Sequence, residues 1–259
     1  FSTPTPPSAM LRSLVGSEMC IRDSRGDDKL QHFAKGRNNQ TAVFFDSGGK
    51  AYSLQAHSLP SARGMGEPIT GRVISESGVT FEGVAIGTDD SKILISNSAG
   101  FGFISNLSNA ISSQKKGKQF MKVPEGSNVI SPVTINDNHK FVAATFSTQD
   151  NNGNVSNKML IFPIEELPVL PKGKGNKLIS ISTKAFKEKS EFMMDVCCLA
   201  EDSKLHIYHE GKTGGKTWTI KELEEYISSR AKRVRVFPTG YNGMIKLEEV
   251  EKTKDAAPE

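Results

Sequence analysis

The sequence predicts an all-β fold built from roughly four propeller-like blades, with short connector helices between them. Three observations carry this prediction. Short apolar runs alternate with clusters of turn residues, aromatic residues such as Phe44, Phe101 and Phe141 fall inside those runs, and one structural unit recurs along the chain. Units of roughly 50 residues with about four short strands are typical of sheets arranged around an axis. A sandwich needs no repeated basic loop, so the recurrence favours blades.

The clearest unit lies at residues 44–70. Its first two strands flank Asp-Ser-Gly-Gly at 46–49, a composition that supplies the positive φ angles of a tight hairpin. A loop with Arg63 among small residues follows and leads into another strand. The order strand, turn, strand, basic loop is therefore the predicted building block.

Later stretches repeat this order with drift, and an incomplete unit at 33–37 precedes the first. The predicted hairpin strands pair 93–96 with 101–104, 141–146 with 159–162, and 205–208 with 217–220. Short helical connectors are expected at 107–111, 164–167 and 220–229, the last because its apolar residues recur at helical spacing. Each connector precedes a basic loop.

The two ends of the chain do not follow the repeat. Residues 1–26 begin with a Pro-rich stretch, and 11–24 resemble a translated sequencing adapter, so this leader is expected to be non-native or disordered. The predicted β domain covers 27–247. Residues 248–259 are predicted to form an acidic, disordered tail because acidic residues dominate there.

Composition narrows the class of protein. No apolar run approaches the roughly 20 residues of a membrane-spanning helix, and the three cysteines imply no disulfide framework. A cytoplasmic protein is expected. The formal net charge of +4 is unevenly spread, with a basic body and an acidic end, a layout common among proteins that bind polyanions.

The basic loops are the predicted functional site. Glycine lets the main chain approach a ligand, so that backbone amides and neighbouring cations reach phosphate oxygens together. A single Lys-rich turn is ordinarily just solvated, but a solvated turn has no reason to repeat its charge in every unit. The predicted contacts to the phosphates of double-stranded DNA, with little base reading, are Lys35, Arg37, Arg63, Lys115, Lys116, Lys118, Lys172, Lys174, Lys177, Arg230, Lys232, Arg233 and Arg235.

Catalytic interpretations fare worse. Residues 210–217 resemble a phosphate-binding loop but have Glu210 where the pattern requires glycine. Cys197 and Cys198 are neighbours on a predicted strand and point to opposite faces, so zinc binding is disfavoured. The alternative from another class is a propeller scaffold that binds protein, which would centre on exposed aromatic residues.

Several strings resemble a known family, the C-terminal domain of the A subunit of bacterial DNA topoisomerase IV. They are Ala-Tyr-Ser-Leu at 51–54, Leu-Pro-Ser-Ala-Arg-Gly at 59–64, Gly-Glu-Pro at 66–68, Ala-Gly-Phe-Gly-Phe at 99–103 and Lys-Gly-Lys-Gly-Asn-Lys at 172–177. The resemblance covers nearly everything after Asp27. It implies a broken β-pinwheel whose rim guides a DNA segment.

The resemblance further implies one component of a heterotetrameric, ATP-dependent type II topoisomerase that unlinks replicated chromosomes and relaxes supercoils. A second A subunit, together with the B subunit, would join through an N-terminal core upstream of this fragment. No cofactor is expected on the fragment, because ATP and Mg²⁺ are bound elsewhere in the holoenzyme. The family is cytoplasmic and nucleoid-associated, with a peripheral inner-membrane assignment.

Departures from the family patterns refine these expectations. The DNA-cleaving tyrosine of the family follows an arginine, whereas Tyr52, Tyr208, Tyr226 and Tyr241 follow Ala, Ile, Glu and Gly. The fragment is therefore expected to be inactive alone. The related gyrase A protein, kept as an alternative, carries a Gln-Arg-Arg-Gly-Gly-Lys-Gly box, of which 172–177 is only a partial echo.

Overall fold

Antiparallel sheets account for nearly all regular structure in the computed structural model, which describes residues 32–60, 66–150, 152–209, 215–232, 235–237 and 243–250. The strands are β1 (Thr41–Asp46), β2 (Lys50–Gln55), β3 (Phe81–Gly87), β4 (Lys92–Asn97), β5 (Phe101–Asn106), β6 (Lys118–Gln119), β7 (Val129–Ile135), β8 (His139–Gln149), β9 (Val155–Pro163), β10 (Asn176–Lys177), β11 (Glu191–Ala200), β12 (Lys204–His209), β13 (Lys216–Thr219), β14 (Arg235–Val236) and β15 (Ile245–Val250). The all-β prediction and the three later hairpins are confirmed.

Each of the first three sheets takes its outermost strand from the following unit. The strand orders are β3-β1-β2-β6, β7-β4-β5-β10, β11-β8-β9-β14 and β15-β12-β13. Strand β6 follows the second hairpin in the chain yet pairs with β2 of the first. The sequence repeat therefore crosses from one sheet to the next, whereas the prediction kept each basic loop and the strand after it within a single unit.

The sheets stack face to face in chain order around a common inner side. Strands β3, β7, β11 and β15 contact one another in succession along that side. Between the first two sheets, the Phe120 ring lies 5.7 Å from the Phe45 ring and 5.6 Å from the Phe103 ring, centroid to centroid. Neighbouring residues of β8 pack into different layers, with Val142 facing the second sheet and Ala143 the fourth. Burial of both faces explains the nearly continuous apolar runs of β1, β4 and β8, the first strands of the hairpins.

The first three hairpin turns use one device. A side-chain oxygen accepts a hydrogen bond from the backbone N–H four residues later, and the third residue after that side chain is a glycine with positive φ. The side-chain oxygens of Asp46, Asn97 and Asp150 accept from the N–H groups of Lys50 (2.9 Å), Phe101 (3.3 Å) and Asn154 (2.8 Å), respectively. The φ angles are 85° at Gly49, 83° at Gly100 and 84° at Gly153. The turn composition in the sequence thus predicts the hairpins correctly.

The predicted connectors are present as short 3₁₀ helices at Leu107–Asn109, Ile164–Glu166 and Lys221–Tyr226. Two more 3₁₀ turns lie at Ala56–Ser58 and Ile69–Gly71. One α-helix, α1 (Thr183–Lys187), escaped the sequence prediction; the Ser182 side chain caps it by accepting from the Ala185 N–H. None of the helices in the described residues is long and apolar enough to span a bilayer.

The predicted start of the acidic tail at residue 248 is wrong. Strand β15 pairs with β12 as far as Val250, and Glu248 and Glu249 are strand residues. The Glu249 carboxylate accepts from His139 Nε2 (2.8 Å) and from the Ala200 N–H (2.7 Å). Acidic composition was taken as a sign of solvation, but one face of this strand binds the neighbouring sheet. The predicted leader and residues 251–259 lie outside the described residues.

Candidate nucleic-acid interface

Three of the predicted basic segments follow equivalent paths to outermost strands. In the strand registers, Lys118 of β6 lies opposite Ala51, Asn176 of β10 opposite Gly102, and Arg235 of β14 opposite Met159. Each of these partners lies five residues before the 3₁₀ segment that follows its hairpin. The segments 115–118 and 172–177, together with the described residues 230–232 and 235 of the third segment, therefore repeat along one outer edge of the stack, which we call the rim.

Glycine is needed at two equivalent points of the rim. Gly117 has a φ of 66° and Gly175 a φ of 76°. A Cβ on Gly117 would lie 2.7 Å from the Ala51 carbonyl oxygen, and one on Gly175 would collide with the carbonyl oxygen of Gly102. Glycine thus lets each basic segment approach the neighbouring strand. The sequence had predicted that these glycines let the main chain approach phosphate.

Consecutive basic segments touch one another. The Gly173 N–H donates to the Phe120 carbonyl oxygen (3.0 Å), and the Lys122 N–H donates to Gly173 (2.9 Å). The next contact is equivalent, since the Ala231 N–H donates to the Leu178 carbonyl oxygen (2.9 Å). The three segments therefore form a continuous row, as a single path for a polyanion requires.

Most cations of this row point into solvent. Lys115, Lys116, Lys172, Lys174, Lys232 and Arg235 are exposed, and none of them forms a salt bridge within the described part of the chain. Lys118 is half-buried. Burial, and then the charge of nearby Lys172, lowers the pKa of Lys118. Like charges of adjacent segments therefore lie close enough to repel, and a bound anion would relieve that repulsion.

Two predicted contacts serve the protein itself. The Arg230 guanidinium donates to the carbonyl oxygens of Glu166 (2.9 Å) and Lys177 (2.6 Å), while its backbone N–H donates to the Glu166 carboxylate (2.6 Å). The Lys177 ammonium donates to the Ile181 carbonyl oxygen (3.1 Å). These side chains fix the rim and have fewer donors left for a ligand.

The remaining predicted residues are not joined to the row. Lys35 and Arg37 are exposed, but the intervening Gly36 packs against Ile86 of β3, on the inner side of the first sheet. Arg63 and Arg233 lie outside the described residues. Conversely, exposed Lys122 belongs to the row through its contact with Gly173, although the sequence analysis did not include it. Its position three residues after Gln119 of β6 could have identified it.

The opposite ends of the sheets are acidic. The turns that join β3 to β4, β7 to β8 and β11 to β12 carry exposed Asp89, Asp90, Asp137, Glu201 and Asp202. These turns lie at the strand ends away from the hairpin tips. Carboxylates are therefore concentrated in these turns and exposed cations along the rim, which makes the charge of the domain asymmetric.

The residues weighed for other chemistry are in ordinary structural roles. Cys197 packs between the third and fourth sheets and Cys198 between the second and third, as expected for neighbours on a strand. Burial raises the pKa of both thiols, which keeps them protonated. Within the described ranges, no three His, Cys, Asp or Glu side chains group as metal ligands would.

Comparison with known proteins gives consistent relatives. No protein-family model matches the chain. The A subunit of DNA topoisomerase 4 from Pseudomonas aeruginosa is 34% identical over 249 residues, which are 92% of this chain and 32% of that protein. The C-terminal domain of Escherichia coli ParC has 30% identity and a TM-score of 0.69 over 83% of each chain.

A second solved structure shares the fold alone. The DNA gyrase A C-terminal domain has 12% identity and a TM-score of 0.58, covering 81% of this chain and 66% of that one. The chain spans about a third of the length of the curated relatives it matches.

Proposed function

This chain belongs to the family of the DNA topoisomerase IV A subunit, and we propose that it binds duplex DNA through the phosphates of the DNA backbone. Its fold is the β-pinwheel of the C-terminal domain in that family. The observation that carries the proposal is the continuous row of exposed cations on the rim. Phosphates are the part of DNA that such a row contacts without reading bases. Gyrase-like function is the less favoured alternative, because identity to the gyrase domain is low.

In the complete protein, we expect the rim to guide a duplex toward an ATP-dependent strand-passage core, in an assembly that also contains the B subunit plus a second A subunit. The expected outcome is decatenation and relaxation of DNA during chromosome segregation. The ATP and Mg²⁺ of that reaction would be held outside this fragment. Plasmid cleaved or relaxed by the fragment alone would contradict the expectation that it is inactive by itself.

Salt dependence tests the proposal directly. Replacing Lys115, Lys116 and Lys172 with Gln should weaken binding to every duplex sequence alike, because phosphate contacts carry no sequence information. In fluorescence anisotropy titrations, the slope of log K against log salt should fall in magnitude by about 2.7, at about 0.9 per lost phosphate contact.

A matched control is available where the hairpins of the second, third and fourth sheets begin. Lys92, Lys140 and Lys204 are exposed and lie at the strand ends away from the hairpin tips. Replacing these three with Gln changes the net charge equally and should leave the slope unchanged. A wild-type chain whose binding stays flat between low and moderate salt would refute the proposal.

Protein binding through aromatic side chains gains no support from the rim. Phe120 and Phe237, which follow β6 and β14, are buried in the core. Exposed large apolar residues, such as Phe33, Val155 and Val169, lie in separate parts of the chain, and the one on β14, Val236, is aliphatic.

A further inference from the structure

A lysine ammonium lies over an aromatic ring at each of the three junctions between neighbouring sheets. Between the first and second sheets, Lys174 Nζ is 4.0 Å from the Phe101 ring centroid. Between the second and third, Lys158 Nζ is 5.6 Å from the Phe146 centroid, and between the third and fourth, Lys216 Nζ is 4.5 Å from the Trp218 centroid. All three distances are within the range of cation–π attraction.

The strand registers show that these positions correspond. Lys158 lies opposite Val236 of β14, as Phe101 lies opposite Lys177 of β10 and Lys50 opposite Gln119 of β6. In the fourth sheet, which has no outermost strand beside β13 in the part of the chain that the structure describes, Lys216 is the first residue of that strand. The corresponding site of the first and third sheets is therefore a lysine. In the second sheet the site is Phe101, and Lys174 of the neighbouring segment supplies the charge.

The first sheet shows what a neutralised version of this site looks like. Lys50 is in the corresponding position, but its ammonium forms an ion pair with Glu76. At the three junctions an aromatic ring replaces the carboxylate. A ring attracts the ammonium and restricts its motion without cancelling its charge, so the charge is held in place and remains available to an anion.

We infer that Lys158 and Lys216, together with Lys174, form a second row of phosphate contacts beside the rim, parallel to the cations of the basic segments. The inference rests on the proposed DNA binding and extends it to the junction between the third and fourth sheets. Neither Lys158 nor Lys216 belongs to a basic loop of the sequence. Lys158 lies within β9 and Lys216 begins β13, and what they share is an ammonium over an aromatic ring at a junction between sheets.

The two rows would contact one duplex from two sides of the rim. Segment 172–177 belongs to both, because Lys172 faces Lys118 while Lys174 reaches the Phe101 ring. The junction lysines are fixed by stacking, and the loop lysines are freely solvated. Less side-chain freedom is therefore lost when the junction lysines bind phosphate.

The test replaces Lys158 and Lys216 with Met in the 259-residue chain, which keeps most of the aliphatic stem and removes the charge. The control replaces Lys92 and Lys204 with Met. We expect the variant to bind a mixed-sequence duplex more weakly, with a salt slope smaller in magnitude by about 1.8, while the control keeps the wild-type slope. Replacing Lys158 and Lys216 with Arg should retain binding, which separates lost charge from misfolding.

The outcomes separate the two proposals. If the wild type binds duplex DNA and the variant with neutralised Lys115, Lys116 and Lys172 binds less, but the Met variant behaves like its control, the inference about the junction lysines is wrong and the proposed function stands. If the wild type itself shows no salt-dependent binding, both are wrong. A loss of binding in the Arg variant equal to that in the Met variant would also overturn the inference.

Discussion

At the scale of single residues, the rim depends on backbone conformations that only glycine adopts without strain. Gly117 and Gly175 combine a positive φ with a neighbouring backbone oxygen where a Cβ would lie. The basic character of these segments and their glycines therefore have separate causes. The glycines dock the segment on the sheet, and the lysines beside them remain for the ligand.

Replacing Gly175 with Ala should destabilise the domain by about 2 kcal/mol or more, because a strained φ and a backbone collision add. Gly126 provides the control, since its φ is 75° but a Cβ there would meet nothing within 4 Å. Its replacement with Ala should cost only the strain, about 1 kcal/mol. Urea unfolding curves measure both, and equal losses would contradict the collision argument.

A second residue-scale prediction concerns pH. Burial raises the pKa of Asp195 to about 6, although hydrogen bonds from the N–H groups of Leu247 and Val196 act in the opposite direction. Because the folded pKa exceeds the unfolded one, the folded state binds more protons between about pH 4 and pH 6. The contribution of Asp195 to stability is thus present at low pH and is lost as the pH rises through 6.

The Asp195→Asn variant isolates this effect, because it loses the titration but keeps the volume. We expect the free energy of unfolding of the wild type, relative to the variant, to fall as the pH rises from 4 to 6, by at most about 1.4 kcal/mol per pH unit. Chemical denaturation at a series of pH values gives this difference. A difference that is constant with pH would show that Asp195 does not titrate in this range.

Among the elements, the outermost strands are short. The side chains next to them contribute more to holding them on the sheets than their few backbone hydrogen bonds do. Strands β6, β10 and β14 have two residues each. The third segment is held by Arg230, which joins Glu166 of one connector to the Lys177 carbonyl oxygen at the end of β10. The first two are followed at once by the buried side chains of Phe120 and Leu178. Anchoring therefore lies next to the strands rather than in them.

Arg230 and Lys232 should respond differently to neutralisation. Arg230→Met removes a half-buried group that makes charge-assisted hydrogen bonds, so it should lower the free energy of unfolding by about 1 to 3 kcal/mol. Lys232→Met should leave stability within about 0.5 kcal/mol and weaken DNA binding instead. Thermal unfolding and anisotropy titrations on both variants check this. A stable Arg230→Met protein that has lost DNA affinity would restore Arg230 to the phosphate contacts.

At the scale of the whole molecule, local patterns were readable from the sequence and pairings between distant segments were not. The Asp46 to Gly49 turn could be predicted because its hydrogen bond closes within five residues. The partner of β6 could not, because short strands carry no register information of their own. Glu249 was assigned to a tail because composition does not show that its carboxylate binds His139 and the Ala200 N–H in the folded chain. Lys158 was not among the predicted contacts because it lies beside the rim only through the pairing of β9 with β14, which joins distant segments.

The exchange of outermost strands has a consequence for synthesis on the ribosome. When β1, β2 and β3 have emerged, the first sheet still has an unpaired edge, and it keeps that edge until the second hairpin and the segment after it have been translated. The second and third sheets likewise keep an unpaired edge until β10 and β14 have been translated. Nascent chains of this family would thus expose a strand edge for much of their translation, a period in which pairing with another chain is a hazard and early contact with a chaperone would be useful.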